Sequence, residues 1–270
     1  MSTAEQELAA VRGVADRAAA LVMERWRGVL SVDRKGRIDL VTEVDLASED
    51  LIRAELAAAF PGVPMVGEER SGEGPLPETA FIVDPIDGTT NFAHGHPFFA
   101  VSIGLRREGR LTLGVVAAPA LGRVWSAAAE VGAFRDDAPM RVSARDTLDG
   151  ALGATGFPYD RREREDDNLA EHAAFVMAMR GVRRCGSAAC DLALVAEGTY
   201  DVYWEQGLKP WDLAAGVVLV REAGGRVTDY RGGPFGRAEA RLVASNARLH
   251  EAALALLDEV RHARDGRPRT

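Results

Sequence analysis

The sequence of 270 residues predicts a layered α/β fold, an α+β arrangement in which helices cover sheets. Three observations support it: an amphipathic helical pattern near the N-terminus, a series of short apolar runs after it, and helical and strand patterns that alternate through the second half. The length allows one large domain or two halves that share a core. We predict a single domain over 1–270, with an N-terminal half at 1–145 and a C-terminal half at 146–270.

The N-terminal half begins with two helical patterns and continues with strands. Apolar residues recur every three or four positions from Leu8 to Trp26, which predicts a helix of about six turns. A second helical stretch follows Asp45 and stops before the breaker pair Pro61-Gly62. Short apolar runs separated by glycine or charged turns then predict an antiparallel meander. Its strands are Phe81–Val83, Ala100–Leu105, Leu111–Val116 and Arg123–Ala127.

The C-terminal half alternates between strands and helices, as layered α/β proteins do. We predict strands near 151–155, 181–184, 200–204 and 226–230. We predict helices near 167–179 and 188–196, and a third from Trp211 to the Gly224-Gly225 pair.

Composition excludes several classes of protein. The formal net charge of −8 argues against a sequence-independent nucleic-acid binder, which needs a basic surface, and suits a site that concentrates carboxylates around hard cations. Cys185 and Cys190 are the only cysteines, which predicts free thiols and not a disulfide framework. Because the first 26 residues carry charges throughout and no apolar run reaches about 18 residues, we predict a cytoplasmic protein without a membrane partner. From the net charge we predict no nucleic-acid partner.

The most informative motif is Asp84-Pro85-Ile86-Asp87-Gly88-Thr89, which follows a predicted strand. Two acids three positions apart can converge at the strand end, while Gly88 and Thr89 open a helix whose free amides suit a phosphate. Acids and amides at one place predict a metal held against a phosphate. The alternative is an Asx-type turn that caps a helix.

Three more acidic positions suit such a site, although each has a simpler explanation. Glu68 and Glu69 follow a short strand and are ordinarily solvated residues, whereas Asp45 and Asp212 stand at predicted helix starts as N-caps.

Together the stretches Gly67-Glu68-Glu69, Asp84–Phe92 (DPIDGTTNF) and Trp211–Gly216 (WDLAAG) resemble, in order, the motifs of the inositol monophosphatase family. The resemblance extends from Thr42–Asp45 to Gly224-Gly225. It implies an αβαβα sandwich, commonly a homodimer, that hydrolyses a small phosphate monoester with Mg²⁺. Two or three ions are implied, with Mn²⁺ as a substitute and lithium as an inhibitor.

The same resemblance implies a role for each matched residue. The metal ligands are Glu68, Asp84, Asp87, Asp212 and the carbonyl of Ile86. Glu68 and Thr89 hold the attacking water, and Asp45 orients Thr89. Substrate contacts come from Gly88, Thr89, Gly186, Ser187, Ala188, Glu205 and Asp212. The family often has a lysine before the segment that ends at Asp45, and here both Arg34 and Lys35 stand near that position.

The chemistry suits these residues, because two ions about 3.5–4 Å apart can hold the attacking and leaving oxygens of a phosphoryl transfer. Oxygen ligands favour Mg²⁺. An aspartyl-nucleophile phosphatase of the haloacid dehalogenase type is excluded by spacing, because Pro85 stands where its nucleophile should be. We expect inositol 1-phosphate as the substrate. Histidinol phosphate comes second, although its phosphatases often have lysine where Thr90 stands. Fructose 1,6-bisphosphate and nucleotide 3′-phosphates follow.

A regulatory binding protein that retains the fold is the non-enzyme alternative. Against it, each matched metal position keeps its acid, which an inactive descendant has no chemical reason to maintain.

Overall fold

The computed structural model describes residues 2–28, 32–34, 40–71, 74–234 and 241–264, with the backbone alone at 32–34, 40 and 41. Seven α-helices occur in these ranges. They are α1 (Thr3–Arg25), α2 (Glu43–Ala59), α3 (Thr89–Ala93), α4 (Leu169–Ala178), α5 (Ala188–Ala196), α6 (Pro210–Glu222) and α7 (His250–Arg264). None of the helices in these ranges is long and apolar enough to cross a membrane.

The same ranges contain fourteen strands in three sheets. Strands β1 (Val32–Arg34) and β2 (Leu40–Thr42) form an antiparallel pair. The large sheet consists of β3 (Met65–Gly67), β4 (Ala80–Asp87), β5 (Ala100–Arg107), β6 (Arg110–Ala118), β7 (Arg123–Ala128), β8 (Gly132–Arg135) and β9 (Ala138–Pro139). The small sheet consists of β10 (Leu152–Thr155), β11 (Gly181–Arg183), β12 (Val202–Gln206), β13 (Arg226–Thr228) and β14 (Arg241–Ser245).

The large sheet is a meander in which neighbours along the chain pair antiparallel, except that β3 lies parallel to β4. The small sheet is mixed and follows the order β11-β10-β12-β14-β13. Strand β10 lies parallel to both β11 and β12, so the carboxyl ends of these three strands meet at one edge. The predicted antiparallel meander and the alternating second half are both confirmed.

The elements stack in five layers. Helices α1 and α2 cover one face of the large sheet, and α6 covers the other. Helix α5 packs beside α6, and both contact the small sheet. Helices α4 and α7 pack together on the far side of that sheet, where α4 contacts β11 and α7 contacts β14. The order helix, sheet, helix, sheet, helix is the predicted αβαβα sandwich.

Two glycines in the large sheet let α6 lie directly on the strands. A Cβ added at Gly114 would lie 2.4 Å from the carbonyl oxygen of Ala215, and one at Gly104 would lie 2.6 Å from the Cβ of Ala214. Because α6 carries Asp212 in its first turn, this close packing fixes that carboxylate relative to β4 and β5.

Several elements differ from the sequence-based prediction. Strand β4 continues through Pro85 to Asp87, because a shift in its pairing with β5 between Asp84 and Asp87 accommodates a residue that cannot donate a hydrogen bond. Helix α2 begins at Glu43 with Thr42 as its N-cap, so the prediction that Asp45 precedes the helix is wrong.

Strands β1, β2, β8, β9 and β14 and helix α7 were not predicted. The strands are at most five residues long, and α7 buries only His250, Ala253 and Leu257, so their sequence patterns are weak.

Candidate active site

The two acids of the central motif lie at the end of β4, immediately before α3. Asp84 accepts a hydrogen bond from the Ile86 amide at 3.0 Å, which folds the strand end back on itself. Gly88 follows in the left-handed region with φ +95°, and a Cβ there would lie 3.1 Å from the carbonyl oxygens of Phe98 and Gly186. Glycine is therefore required both by the backbone angle and by the two carbonyl groups packed against it.

A third acid reaches the same place from the other half of the chain. Asp212 is the third residue of α6, and its Oδ2 accepts a hydrogen bond from the Lys209 amide at 2.7 Å. One carboxylate oxygen from each of Asp84, Asp87 and Asp212 lies within 4.8 Å of the other two. Among the described residues this is the group of acids close enough to share one metal ion, and all its donors are oxygens.

Burial raises the pKa of each of these carboxyls, and repulsion from neighbouring acids adds to the rise for Asp84 and Asp212. The pKa of Asp84 lies well above its usual range because the group is buried and then because Glu68, Asp87 and Asp212 surround it with negative charge. Burial likewise raises the pKa of Asp212 well above its usual range, with the charges of Asp87 and Glu68 adding to the effect. Glu68, which follows β3, thus lies close enough to act on both aspartates. A cation would relieve this repulsion.

Asp87 accepts two hydrogen bonds, whereas Asp84 and Asp212 each accept the one described above. The Oδ2 of Asp87 accepts hydrogen bonds from the Ser187 hydroxyl and the Ala189 amide, both at 2.6 Å. Burial raises the pKa of Asp87 to about 6, although these hydrogen bonds oppose the rise. Ser187 is also the N-cap of α5, where its hydroxyl accepts from the Cys190 amide at 3.3 Å. The start of α5 therefore fixes the orientation of this carboxylate.

Thr89 and Asp45 form a hydrogen-bonded pair beside the three acids. The Thr89 hydroxyl lies 3.0 Å from Asp45 Oδ1 and 3.1 Å from the Ile86 carbonyl oxygen. Asp45 is fully buried, and its Oδ2 accepts from the amide and the hydroxyl of Thr42 at 2.8 and 2.5 Å. Because the Thr42 capping box holds one oxygen of Asp45, the other is directed at Thr89.

Glu205 lies on β12 at the opposite wall. Its Oε2 accepts a hydrogen bond from the Tyr203 hydroxyl at 2.5 Å. Burial raises the pKa of Glu205 to about 7, against the lowering effects of the Tyr203 hydrogen bond and the charge of Arg184. Glu205 is not one of the three acids within 4.8 Å of one another, but the charge of Asp87 also raises its pKa.

These residues line a single cleft of about 270 Å³. Of the predicted site residues, Asp45 does not line the cleft and lies behind Thr89. All the others line it: Glu68, Asp84, Ile86, Asp87, Gly88, Thr89, Gly186, Ser187, Ala188, Glu205 and Asp212. Lys35 lies outside the described residues, and Arg34 is described only by its backbone, so the choice between them stays open.

The structure adds lining residues that the motifs did not predict. The segment 156–159, Arg184 and Lys209 also face the cleft. The segment 156–159 could have been predicted, because it directly follows the strand β10. The carboxyl end of β10 lies at the same edge of the sheet as that of β12. Arg184 lies two residues before Gly186, and Lys209 lies three residues before Asp212. Neither was predicted to line the site.

Comparison with known proteins agrees with this geometry. The model of the inositol monophosphatase family matches residues 4–262. An inositol-1-monophosphatase of Mesorhizobium japonicum is 43% identical over 226 residues, 83% of this chain and 85% of the relative. A protein of Pseudomonas aeruginosa named Nus factor SuhB is 43% identical over 233 residues, 84% of this chain and 85% of the relative. The structure of an inositol monophosphatase from Anabaena (Nostoc) sp. PCC 7120 superposes with a TM-score of 0.88 at 38% identity, covering 96% of this chain and 97% of that one.

Proposed function

The chain belongs to the inositol monophosphatase family, a family of phosphatases, and we propose that it hydrolyses inositol 1-phosphate to inositol and inorganic phosphate in a reaction that requires Mg²⁺. The observation that carries the proposal is the convergence of Asp84, Asp87 and Asp212 from two separate motifs at the end of β4. That cluster lies in the same cleft as Glu205, a carboxylate suited to accept hydrogen bonds from a polyol.

The residues present fit a divalent metal. The three aspartates offer oxygen donors, and each lies in a surrounding that disfavours its own negative charge. We propose Glu68, the three aspartates and the Ile86 carbonyl as ligands for two or three Mg²⁺ ions, with Mn²⁺ as a substitute. When bound, the ions supply positive charge that stabilises the phosphoryl oxygens and lowers the pKa of water.

The protein's own groups would hold the two reactants in line. Glu68 and Thr89 hold the attacking water, and Asp45 accepts the Thr89 proton so that the threonine oxygen is free to accept one from that water. The backbone of Gly88 and Thr89 contacts the phosphate. Water then adds to phosphorus and gives up a proton through the Thr89 hydroxyl to Asp45, while the bond from phosphorus to the ester oxygen breaks. The leaving ester oxygen takes a proton from solvent water, which releases inositol and inorganic phosphate.

Recognition of the alcohol part would come from the other wall of the cleft. Glu205 and Asp212 accept hydrogen bonds from substrate hydroxyls, and the loop of Gly186, Ser187 and Ala188 packs against the ring. Ser187 also orients Asp87, because its hydroxyl donates a hydrogen bond to that carboxylate.

A direct test measures phosphate release with Mg²⁺ from four substrates: inositol 1-phosphate, histidinol phosphate, fructose 1,6-bisphosphate and a nucleotide 3′-phosphate. We expect the highest kcat/KM for inositol 1-phosphate. A higher value for any of the other three would reassign the substrate but keep the phosphatase. Absence of release from all four would overturn the proposal.

The family also suggests properties of the whole protein. We propose a cytoplasmic homodimer that is inhibited by lithium. Light scattering at several protein concentrations measures the oligomeric state, and a monomer at micromolar concentration would contradict it.

A second candidate follows from the Pseudomonas relative, whose name is Nus factor SuhB. We propose that this chain also acts as a Nus factor, in addition to its catalytic activity. Where loss of that relative slows the growth of Pseudomonas aeruginosa, this chain should restore growth, and an Asp87→Asn variant without phosphatase activity should restore it equally. Restoration by the wild type alone would assign the effect to catalysis.

A further inference from the structure

Glu205 lies against a glycine that directly follows the neighbouring strand. Strands β10 and β12 run parallel, and Thr155 opposite Trp204 is the last pair of their ladder. The next residue along the chain is Gly156 after Thr155 and Glu205 after Trp204. A Cβ added at Gly156 would lie 2.1 Å from Glu205 Oε1 and 2.2 Å from its Cδ and Oε2. The carboxylate therefore occupies the space that any side chain at position 156 would take.

A buried asparagine fixes this glycine in place. Asn168 is fully buried, and its Nδ2 donates to the carbonyl oxygen of Gly156 at 2.6 Å and to the Thr155 hydroxyl at 2.8 Å. The Thr155 hydroxyl in turn donates to the Trp204 carbonyl oxygen at 2.5 Å. Asn168 thus ties the end of β10 to β12. It adopts the left-handed conformation with φ +68°, which asparagine tolerates better than most residues.

The same contacts anchor the outer wall of the cleft. The chain leaves the small sheet at Gly156 and returns to the same point at Asn168, so the loop 157–167 has both ends joined by one side chain. Its first residues, 157–159, line the cleft. Near its far end, the carbonyl oxygen of Asp166 accepts from Gln206 Nε2 at 2.9 Å, and Gln206 is the neighbour of Glu205.

These contacts leave Glu205 little freedom. Gly156 bounds the carboxylate on one side and the Tyr203 hydroxyl binds it on another, and the group faces the cleft. We infer that Gly156 and Asn168 are positioning residues that hold Glu205 for recognition of substrate hydroxyls, and so determine the preference for polyol phosphates. The inference rests on the proposed function and adds specificity determinants outside the motifs.

The variant Gly156→Ala tests this directly. Gly156 does not adopt the left-handed conformation, so alanine suits the backbone, and the atoms that must move are the far end of the Glu205 side chain. We expect the ratio of kcat/KM for inositol 1-phosphate to kcat/KM for p-nitrophenyl phosphate to fall about ten- to a hundredfold, the range of a hydrogen bond to a charged group. Gly150→Ala is the matched control, because a Cβ there meets only the Thr147 hydroxyl at 3.4 Å and the Thr147 carbonyl oxygen at 3.8 Å. It should leave the ratio unchanged.

A double-mutant cycle shows whether the effect passes through Glu205. In a Glu205→Gln background, which already lacks the charged acceptor, Gly156→Ala should lower the ratio by less than threefold. Asn168→Asp, which keeps the shape but loses the amide donor, should lower the ratio in the wild-type background and provides the test if Gly156→Ala does not fold.

Three outcomes separate this inference from the function on which it rests. A wild type that does not hydrolyse inositol 1-phosphate overturns both. A wild type that prefers inositol 1-phosphate, with Gly156→Ala and Asn168→Asp retaining that preference, overturns the positioning role alone. If Gly156→Ala lowers the ratio of the two kcat/KM values equally in the wild-type and Glu205→Gln backgrounds, the positioning role alone is likewise overturned.

Discussion

Replacing Asp87 by asparagine should have opposite effects on activity and on the stability of the metal-free protein. Burial raises the pKa of Asp87 from 3.8 to about 6. Keeping this carboxylate ionised in the folded, metal-free protein at pH 7 therefore costs about 3 kcal/mol. Asparagine removes the charge, and its carbonyl oxygen can still accept from the Ser187 hydroxyl and the Ala189 amide.

We expect Asp87→Asn to stabilise the protein in chelator, because it removes this buried charge. The gain should be about 1–3 kcal/mol and not the full cost of the charge, because the amide group of asparagine finds less favourable partners than the carboxyl it replaces. For a chain of this length this raises Tm by roughly 2–6 °C. The effect depends on pH in a defined direction. Between about pH 4 and pH 6 the folded wild type binds more protons than the unfolded chain, so this group makes its stability fall as pH rises through that window. The Asp87→Asn variant lacks this contribution.

When Mg²⁺ is added, the wild type should become more stable than the Asp87→Asn variant. Binding to the folded state stabilises the wild type, whereas the variant has lost a proposed ligand and gains less. Turnover with saturating Mg²⁺ should fall about 100- to 1000-fold, the usual cost of removing a group that stabilises transition-state charge.

The measurements are thermal melts with chelator and with Mg²⁺, together with kcat on the preferred substrate. Asp201→Asn is the control: Asp201 is also fully buried and hydrogen-bonded, but it lies beside Arg145 and outside the cleft. Its replacement should lower Tm equally in both conditions. A lower Tm of Asp87→Asn in chelator, or a kcat within tenfold of wild type, would refute this account of the site.

Three further predictions address the metal, the substrate and acid stability. Activity should vanish with chelator, return with Mg²⁺ and fall when Ca²⁺ is added, since Ca²⁺ prefers a larger and looser shell; full activity in excess chelator would contradict a metal mechanism. Glu205→Gln should lower kcat/KM for inositol 1-phosphate about ten- to a hundredfold more than for p-nitrophenyl phosphate, and equal losses would make Glu205 structural. Burial lowers the pKa of His250 from 6.5 to about 4, where it lies between Thr228 and Ser245. Stability should therefore fall as pH drops from about 6.5 towards 4, and a His250→Gln variant whose denaturation midpoint falls as steeply would disprove this origin.

The sequence was sufficient for features that depend on neighbours along the chain. The spacing from Leu8 to Trp26 predicted α1, because a helix repeats every 3.6 residues. The motif from Asp84 to Thr89 predicted two acids followed by a helix, because that geometry is set within a few residues. Motif resemblance predicted which other acids lie at the cleft. It also predicted the family and the five-layer fold, which the comparisons show.

Only the tertiary structure decided which groups touch. The support of Asp87 by the start of α5 and the approach of Gly156 to Glu205 join residues that are distant in the chain. Such contacts depend on strand register and on how closely helices pack on sheets, and a register shift of one residue would turn each side chain to the opposite face. Periodicity places a residue on a face of its own element but carries no information about the residue opposite. For that reason the motifs could predict Glu205 in the cleft, while the glycine that makes room for it appeared only once β10 and β12 lay side by side.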